Sequence, residues 1–292
     1  MDKLIVILGP TASGKTSLSI KLAKRFNGAV ISADSRQVYK GMDLGAGKVT
    51  KKEMAGIPHY LLDVVSPKQR FSAAQYQKMA FRAIDKVIKK GQTPFLVGGS
   101  AFYIYSVVEG WQFPSLKANL KLRQRLAKKP VNQLLAILKK LDQKRAKNID
   151  VSNSRRLIRA IEIAKAFGKV PKLQKVPRYN CLLLGVKKDQ QQLVKLIRLR
   201  LLERLKQGMA AEVKKLRAAG LSWKKLDDFG LEYRWLARYL RGKVTKGQMI
   251  ECLQKDIEHF AKRQMTWFKK DSRIEWVTTK TQAAKLIKKF IN

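Results

Sequence analysis

The chain has 292 residues, 45% of them hydrophobic and 29% charged. This composition excludes a disordered segment and accommodates one large domain or a core carrying a smaller one. Lys and Arg number 63 against 21 Asp and Glu, a net charge of +42, whose field gathers polyanions and points to a nucleic-acid partner.

Three further features bear on location. No apolar run is long enough to cross a bilayer, the first residues lack the apolar stretch and cleavage site of a signal peptide, and Cys181 and Cys252 lie far apart. A cytoplasmic protein without a disulfide framework or membrane attachment is expected.

In chain order, "KLIVILGP" predicts a short buried strand and Thr16 to Phe26 the helix after it. The apolar part of "GAVISADSRQVY" predicts a second strand ending just before Asp34. "FSAAQYQKMAFRAIDKVIKKGQ" has helical periodicity up to Gly91, and "TPFLVGGS" is a third strand closing on a glycine pair. Strand and helix in alternation predict an α/β fold, a parallel sheet with flanking helices. Ligands of such sheets sit beyond the carboxyl ends of the strands. The loop at Gly9, Asp34 and the turn Gly98-Gly99-Ser100 all fall there.

From Phe113 to about Lys175 the sequence turns basic and helical. We read residues 113–175 as a small all-helical insertion between core segments 1–112 and 176–292. "NCLLLGVKK" predicts the strand that returns the chain to the sheet. The span from Gln191 to Ala219 predicts helix capped at Gly220, "GQMIECLQKDIEHFAKRQMTWFKKD" a further helix, and "IEWVTT" a last strand.

Gly9 through Thr16 match G-x-x-x-x-G-K-[ST], in the strand–loop–helix context the pattern requires. In such a loop backbone N–H groups and a helix N-terminus converge on an anion. The phosphate-binding set is therefore Gly9, Thr11, Ala12, Ser13, Gly14, Lys15 and Thr16, with the Thr16 hydroxyl placed for Mg²⁺ or a phosphate oxygen. An ATPase or GTPase also carries an acid at the end of a second apolar strand, whereas "PFLVGG" ends in glycines. The acid that does end a strand is Asp34, a candidate general base or metal ligand whose bland alternative is turn capping. Ser35 and Gln37 beside it can read an uncharged polar partner such as a base edge.

Together, in order, these segments resemble the tRNA dimethylallyltransferases (tRNA isopentenyltransferases) over nearly the whole chain. "GPTASGKT" resembles the family's opening loop, "DSRQVYKGMDLG" its aspartate motif, and "IPHYLLDVVSP" with "FSAAQY" the segment that follows. "LVGGSAFY", "NSRRLIRAIE", "GMAAEV", "FGLEYR" and "AKRQMTWF" resemble its later motifs. The resemblance implies a P-loop NTPase-like core whose loop holds the diphosphate of dimethylallyl diphosphate. The dimethylallyl group would pass to N6 of the adenosine 3′ of the anticodon, adenosine-37. It implies Asp34, Thr16 and Arg200 as catalytic residues, Mg²⁺ as cofactor and a monomer as the working form. It also implies tRNA contacts from Asp34, Ser35, Arg36, Gln37, Ser100, Arg123, Arg155, Arg156, Arg159, Tyr233 and Arg234. Trp267 and Phe268 are expected to pack in the core, and His59 and His259 to be structural.

The chain departs from the family pattern at several positions. "GAGKVT" stands in place of G-T-A-K-P, Ser100 in place of Thr, and "GLEYR" lacks the glycine before Tyr233. Leu196 stands where R-I-x-x-R has its first arginine, leaving only Arg200. Three other readings use the same residues: an adenylate isopentenyltransferase, a P-loop nucleotide kinase, and a basic RNA-binding protein without activity. The +42 charge and the basic insertion favour a tRNA substrate over a free nucleotide.

Overall fold

The computed structural model describes residues 1–292 and divides the chain into two units, Met1–Gly110 with Pro177–Asn292, and Trp111–Val176. The first unit begins with β1 (Lys3–Leu8), α1 (Lys15–Arg25), β2 (Gly28–Ala33), the short α2 (Lys51–Met54), β3 (His59–Tyr60), α3 (Ala73–Lys89), β4 (Thr93–Gly98) and α4 (Ala101–Val108). The second unit contributes β5 (Trp111–Gln112), α5 (Leu120–Ala127), α6 (Val131–Leu141), α7 (Gln143–Lys147), α8 (Ser154–Phe167) and β6 (Gln174–Lys175). The first unit resumes with β7 (Asn180–Val186), α9 (Gln190–Lys206), α10 (Met209–Ala218), α11 (Trp223–Phe229), α12 (Leu231–Leu240), α13 (Lys246–Phe268), β8 (Glu275–Val277) and α14 (Lys280–Ile291).

The six strands of the first unit form one parallel sheet in the order β3-β2-β4-β1-β7-β8. Leu4 to Leu8 on β1 are all 0% exposed, as expected for a central strand covered on both faces, whose sequence reads as a continuous apolar run. One side of the core joins Ile5 and Ile7 to Leu22 and Ala23 of α1, Phe95 of β4 and Ile287 of α14. Because β4 lies between β1 and β2, Gly98 is in register with both Leu8 and Ala33. A Cβ at Gly98 would come 2.2 Å from the Ala33 carbonyl oxygen, so the three strand ends meet only with glycine there. The phosphate loop, Asp34 and the Gly99-Ser100 turn consequently share one edge of the sheet.

Two expectations are corrected. The span from Gln191 to Ala219 is two helices, because Gly208 turns left-handed at φ 100 and starts α10. The second unit is not all helical: its two ends pair as an antiparallel ribbon, Trp111 with Lys175 and Gln112 with Gln174. Its helices α5 to α8 enclose their own small core around Leu126, Leu134, Leu138, Leu157 and Ile161. Within that core Glu162, 3% exposed, accepts hydrogen bonds from Arg123, Arg159 and the Asn119 N–H. Burial alone would raise the Glu162 carboxyl, and these donors outweigh it and hold it below the usual range. No helix in the chain is long and apolar enough to cross a membrane.

Candidate active site

The phosphate loop closes through three positive-φ residues, Gly9 (φ 148), Ala12 (φ 61) and Gly14 (φ 89). Ala12 is a non-glycine in the left-handed region, which costs about 1–2 kcal/mol and persists only where the surroundings hold it. What holds this loop is Gln264, from α13. Its Oε1 accepts the Thr11 N–H at 2.8 Å, and its Nε2 donates to the Gly99 carbonyl at 2.8 Å. One buried carboxamide thus ties the loop after β1 to the turn after β4.

Thr11, Ala12, Lys15 and Thr16 line a cavity of about 480 Å³ with Asp34, Ser35, Arg36, Gln37, Ser100, Arg200, Arg204, Glu232 and Arg234. Gly9, Ser13 and Gly14 do not line the cavity; Gly9 is buried, Gly14 exposed, and Ser13 only 1% exposed. Lys15 Nζ donates to the Pro10 carbonyl at 2.5 Å, and Arg200 donates to the Thr11 hydroxyl. Burial lowers the Lys15 ammonium to about 7, with the Arg200 charge adding to the drop and Asp34 opposing it. Burial also lowers Arg200 to about 10, where Arg204 adds to the effect and Glu232 and Asp34 oppose it. Crowded, desolvated cations of this kind favour an incoming anion.

Asp34 begins a tight turn. Its Oδ1 accepts the N–H groups of Arg36 (2.8 Å) and Gln37 (3.3 Å), so the turn uses one carboxylate oxygen and neither bond uses Oδ2. Ser100, at the N-terminus of α4, accepts the Ser35 N–H at 3.0 Å. Gln37 is held at both ends, accepting from the Ser32 hydroxyl and donating to the Gly47 carbonyl. Arg36 donates to the Phe229 carbonyl and lies over the Phe229 ring.

A family model described as IPP transferase matches residues 37–271. The chain belongs to the IPP transferase family. It is 39% identical to the tRNA dimethylallyltransferase of Acetivibrio thermocellus over 288 residues, 95% of this chain and 92% of that one. It also superimposes on the crystal structure of the full-length tRNA isopentenylpyrophosphate transferase of Bacillus halodurans. The TM-score is 0.75 with 35% identity, covering 100% of this chain and 96% of that chain. A eukaryotic dimethylallyltransferase acting on tRNA, 24% identical, shares the fold with a TM-score of 0.81 over 97% of this chain.

Against the family's expected site, the structure brings the loop, Asp34, Ser35, Arg36, Gln37, Ser100, Arg200 and Arg234 to one cavity. Tyr233 is a correction. It is 1% exposed and its hydroxyl donates to Glu212 at 2.9 Å, so it braces the interior and presents nothing to RNA. Glu212 also accepts the N–H groups of Asp43, Leu44 and Gly45, fixing the loop after the aspartate motif. Arg123 and Arg159, expected on tRNA, both pair with Glu162 while their side chains stay partly exposed, at 27% and 34%. In the same unit Arg155 is exposed, and Arg156 is exposed and pairs with the likewise exposed Asp150 at 3.2 Å. Phe268 is buried as expected, whereas Trp267 is 46% exposed. His59, expected to be purely structural, lines the cavity while its Nδ1 meets the Ile57 carbonyl.

Gln264, Arg204, Glu232 and Glu212 were not picked out by sequence reasoning. For Gln264 a signal existed. The buried residues of α13 run Met249, Leu253, Ile257, Ala261, Gln264, Phe268, so a carboxamide interrupts an otherwise apolar stripe. A polar side chain on a buried stripe implies a partner in the interior.

Proposed function

We propose that the chain transfers a dimethylallyl group from dimethylallyl diphosphate to N6 of adenosine-37, 3′ of the anticodon in tRNA, releasing diphosphate. The observation that carries the proposal is the meeting of a phosphate loop, buried cations and the strand-end Asp34 in one cavity. Beside β4 no acid ends the strand, in keeping with chemistry that moves no phosphoryl group. The sheet, the helices around it and the family membership all agree with this assignment.

In this reading the loop N–H groups, Lys15 and Arg200 bind the diphosphate and stabilise the negative charge it gains as its bond to the allylic carbon breaks. The new bond forms from that carbon to N6, and the N6 proton passes to Asp34, whose Oδ2 is uncommitted by the turn. The adenine must leave the anticodon-loop stack to reach the cavity, as base-modifying enzymes require. Ser35, Arg36, Gln37 and Arg234 on the cavity wall are the proposed contacts to the tRNA. Ser100 acts at one remove, by holding the Asp34 turn. The exposed Arg155 and Arg156 suit backbone phosphates, which position without reading sequence.

Mg²⁺ fits the loop. Thr16 is an exposed residue in the first turn of α1 and lines the cavity, and Mg²⁺ takes most of its ligands from phosphate oxygens and water. When bound, it supplies further positive charge to the diphosphate.

Diphosphate release tests the proposal. Release from dimethylallyl diphosphate should require unmodified tRNA. Release with free AMP in place of tRNA would favour the adenylate enzyme, and phosphoryl transfer from ATP would favour a kinase.

A further inference from the structure

Arg200 and Arg204 lie one turn apart on α9, and both line the cavity. The Arg204 side chain is 14% exposed and its ion pair with Glu232 is 3.9 Å long, beyond hydrogen-bond distance. Its guanidinium therefore retains donors inside a cavity already holding Lys15 and Arg200.

What admits it is Gly47. A Cβ on Gly47 would fall 1.7 Å from Arg204 Nη2 and 2.6 Å from its Cζ, so the guanidinium occupies the space of a residue-47 side chain. The Gly47 backbone cannot easily retreat, because its carbonyl accepts Gln37 Nε2 at 3.1 Å and its N–H donates to the Leu44 carbonyl at 3.1 Å. Gly47 belongs to "GAGKVT", one of the segments where this chain departs from the pattern it resembles. Another departure lies on the same helix. Leu196, one turn before Arg200, is 38% exposed and lies outside the cavity. The two guanidiniums of α9 that line the cavity are thus those of Arg200 and Arg204, with Gly47 opposite the second.

We infer that Arg204 is a second diphosphate-binding guanidinium, admitted to the cavity by Gly47. The inference rests on reading the cavity as an allylic-diphosphate site. Buried Glu232 orients the side chain without satisfying it, leaving N–H groups for phosphate oxygens, which guanidinium planes match well.

The test is calorimetric titration with inorganic pyrophosphate of four proteins: wild type, Arg204→Met, Gly47→Ala and the double variant. Arg204→Met should weaken pyrophosphate about 10- to 100-fold, the range for lost charge-assisted hydrogen bonds. Gly47→Ala should weaken it in the same direction by expelling the guanidinium. The double variant should bind pyrophosphate no more weakly than Arg204→Met, because the methyl then meets no guanidinium, while the left-handed Gly47 backbone (φ 59) makes the alanine cost stability in both backgrounds, a loss that urea unfolding reads separately. Affinity for unmodified tRNA without donor, and the cooperativity of urea unfolding, should stay as in wild type for Arg204→Met. Wild type binding pyrophosphate with Arg204→Met unchanged would overturn the inference and leave the cavity reading standing. Additive losses in the double variant, or a matching loss of tRNA affinity, would overturn it as well. No pyrophosphate binding by wild type would overturn the cavity reading and the inference together.

Discussion

Replacing Gln264 with leucine tests how the site is held together. Leucine keeps the side chain's approximate volume and deletes both of its hydrogen bonds. The Thr11 N–H and the Gly99 carbonyl are then left without their partner. Gln264 is 6% exposed, so water does not readily replace it at the Gly99 end, while Thr11 is only half-buried. At about 1–3 kcal/mol for each orphaned buried group, with Thr11 at the lower end, Gln264→Leu should cost about 2–4 kcal/mol. Urea unfolding at unchanged slope reads that loss. Because Ala12 relies on the anchored loop for its left-handed backbone, the KM for the allylic diphosphate should also rise. Gln264→Glu keeps the acceptor for Thr11 and sets an oxygen against the Gly99 carbonyl, so the ionised side chain should rescue little. Gly99→Ala should behave alike, since a Cβ there would lie 2.2 Å from Gln264 Nε2. A leucine variant within about 0.5 kcal/mol of wild type, the range of ordinary surface changes, and with unchanged KM would refute the anchoring role.

Other consequences follow from the same geometry. Asp34→Asn preserves the acceptor that forms the Arg36–Gln37 turn and removes the base. Single-turnover transfer should fall by about 10²- to 10⁴-fold, with tRNA affinity within about threefold under that same reasoning; intact transfer would remove Asp34 from the chemistry. Lys15 titrates near 7 in the free protein because of burial and then Arg200. Above that pH the unliganded loop loses its proton, so affinity for the allylic diphosphate should decline as pH rises, while Lys15→Arg, charged throughout, should show a flatter profile. The same lowered value means the unfolded chain binds more protons between about 7 and 10.5, so Lys15 makes stability rise with pH across that window. A profile identical in Lys15→Arg would refute the assignment. Glu162→Ala strands two arginines in the second unit. The loss should be about 2 kcal/mol, below the about 3–5 of a fully buried pair because both arginines reach solvent; an unchanged urea midpoint would count against the network.

The residues differ in how legible they were. The β1 run, the strand ends at Asp34 and Gly98, and the loop between Gly9 and Thr16 declare themselves because apolar strands and glycine turns are written locally. So the parallel sheet, and the edge where the loop, Asp34 and the glycine turn meet, could be read directly. The break at Gly208 could not, since helical periodicity continues across a glycine and only its left-handed backbone ends α9. The ribbon of Trp111–Gln112 with Gln174–Lys175 is too short to carry any period. Gln264 pairs with Thr11 across 253 positions, and Glu212 reaches back to residues 43–45, so neither partner is visible nearby in sequence. Tyr233 was placed on tRNA by the resemblance of "FGLEYR" alone, and nothing in that short motif tells an exposed aromatic from a buried one. Its fate was decided by the Glu212 carboxylate, which offers its hydroxyl a buried acceptor.

The central claim is that the loop holds an allylic diphosphate whose prenyl group goes to tRNA. The most direct measurement is to incubate the protein, Mg²⁺ and unmodified tRNA with dimethylallyl diphosphate, and separately with ATP. The tRNA is then digested and its nucleosides identified by mass spectrometry. N6-isopentenyladenosine formed only with dimethylallyl diphosphate, from the fragment containing the position 3′ of the anticodon, is the predicted result. ATP consumption without a modified nucleoside, or no product from either donor, would contradict the account.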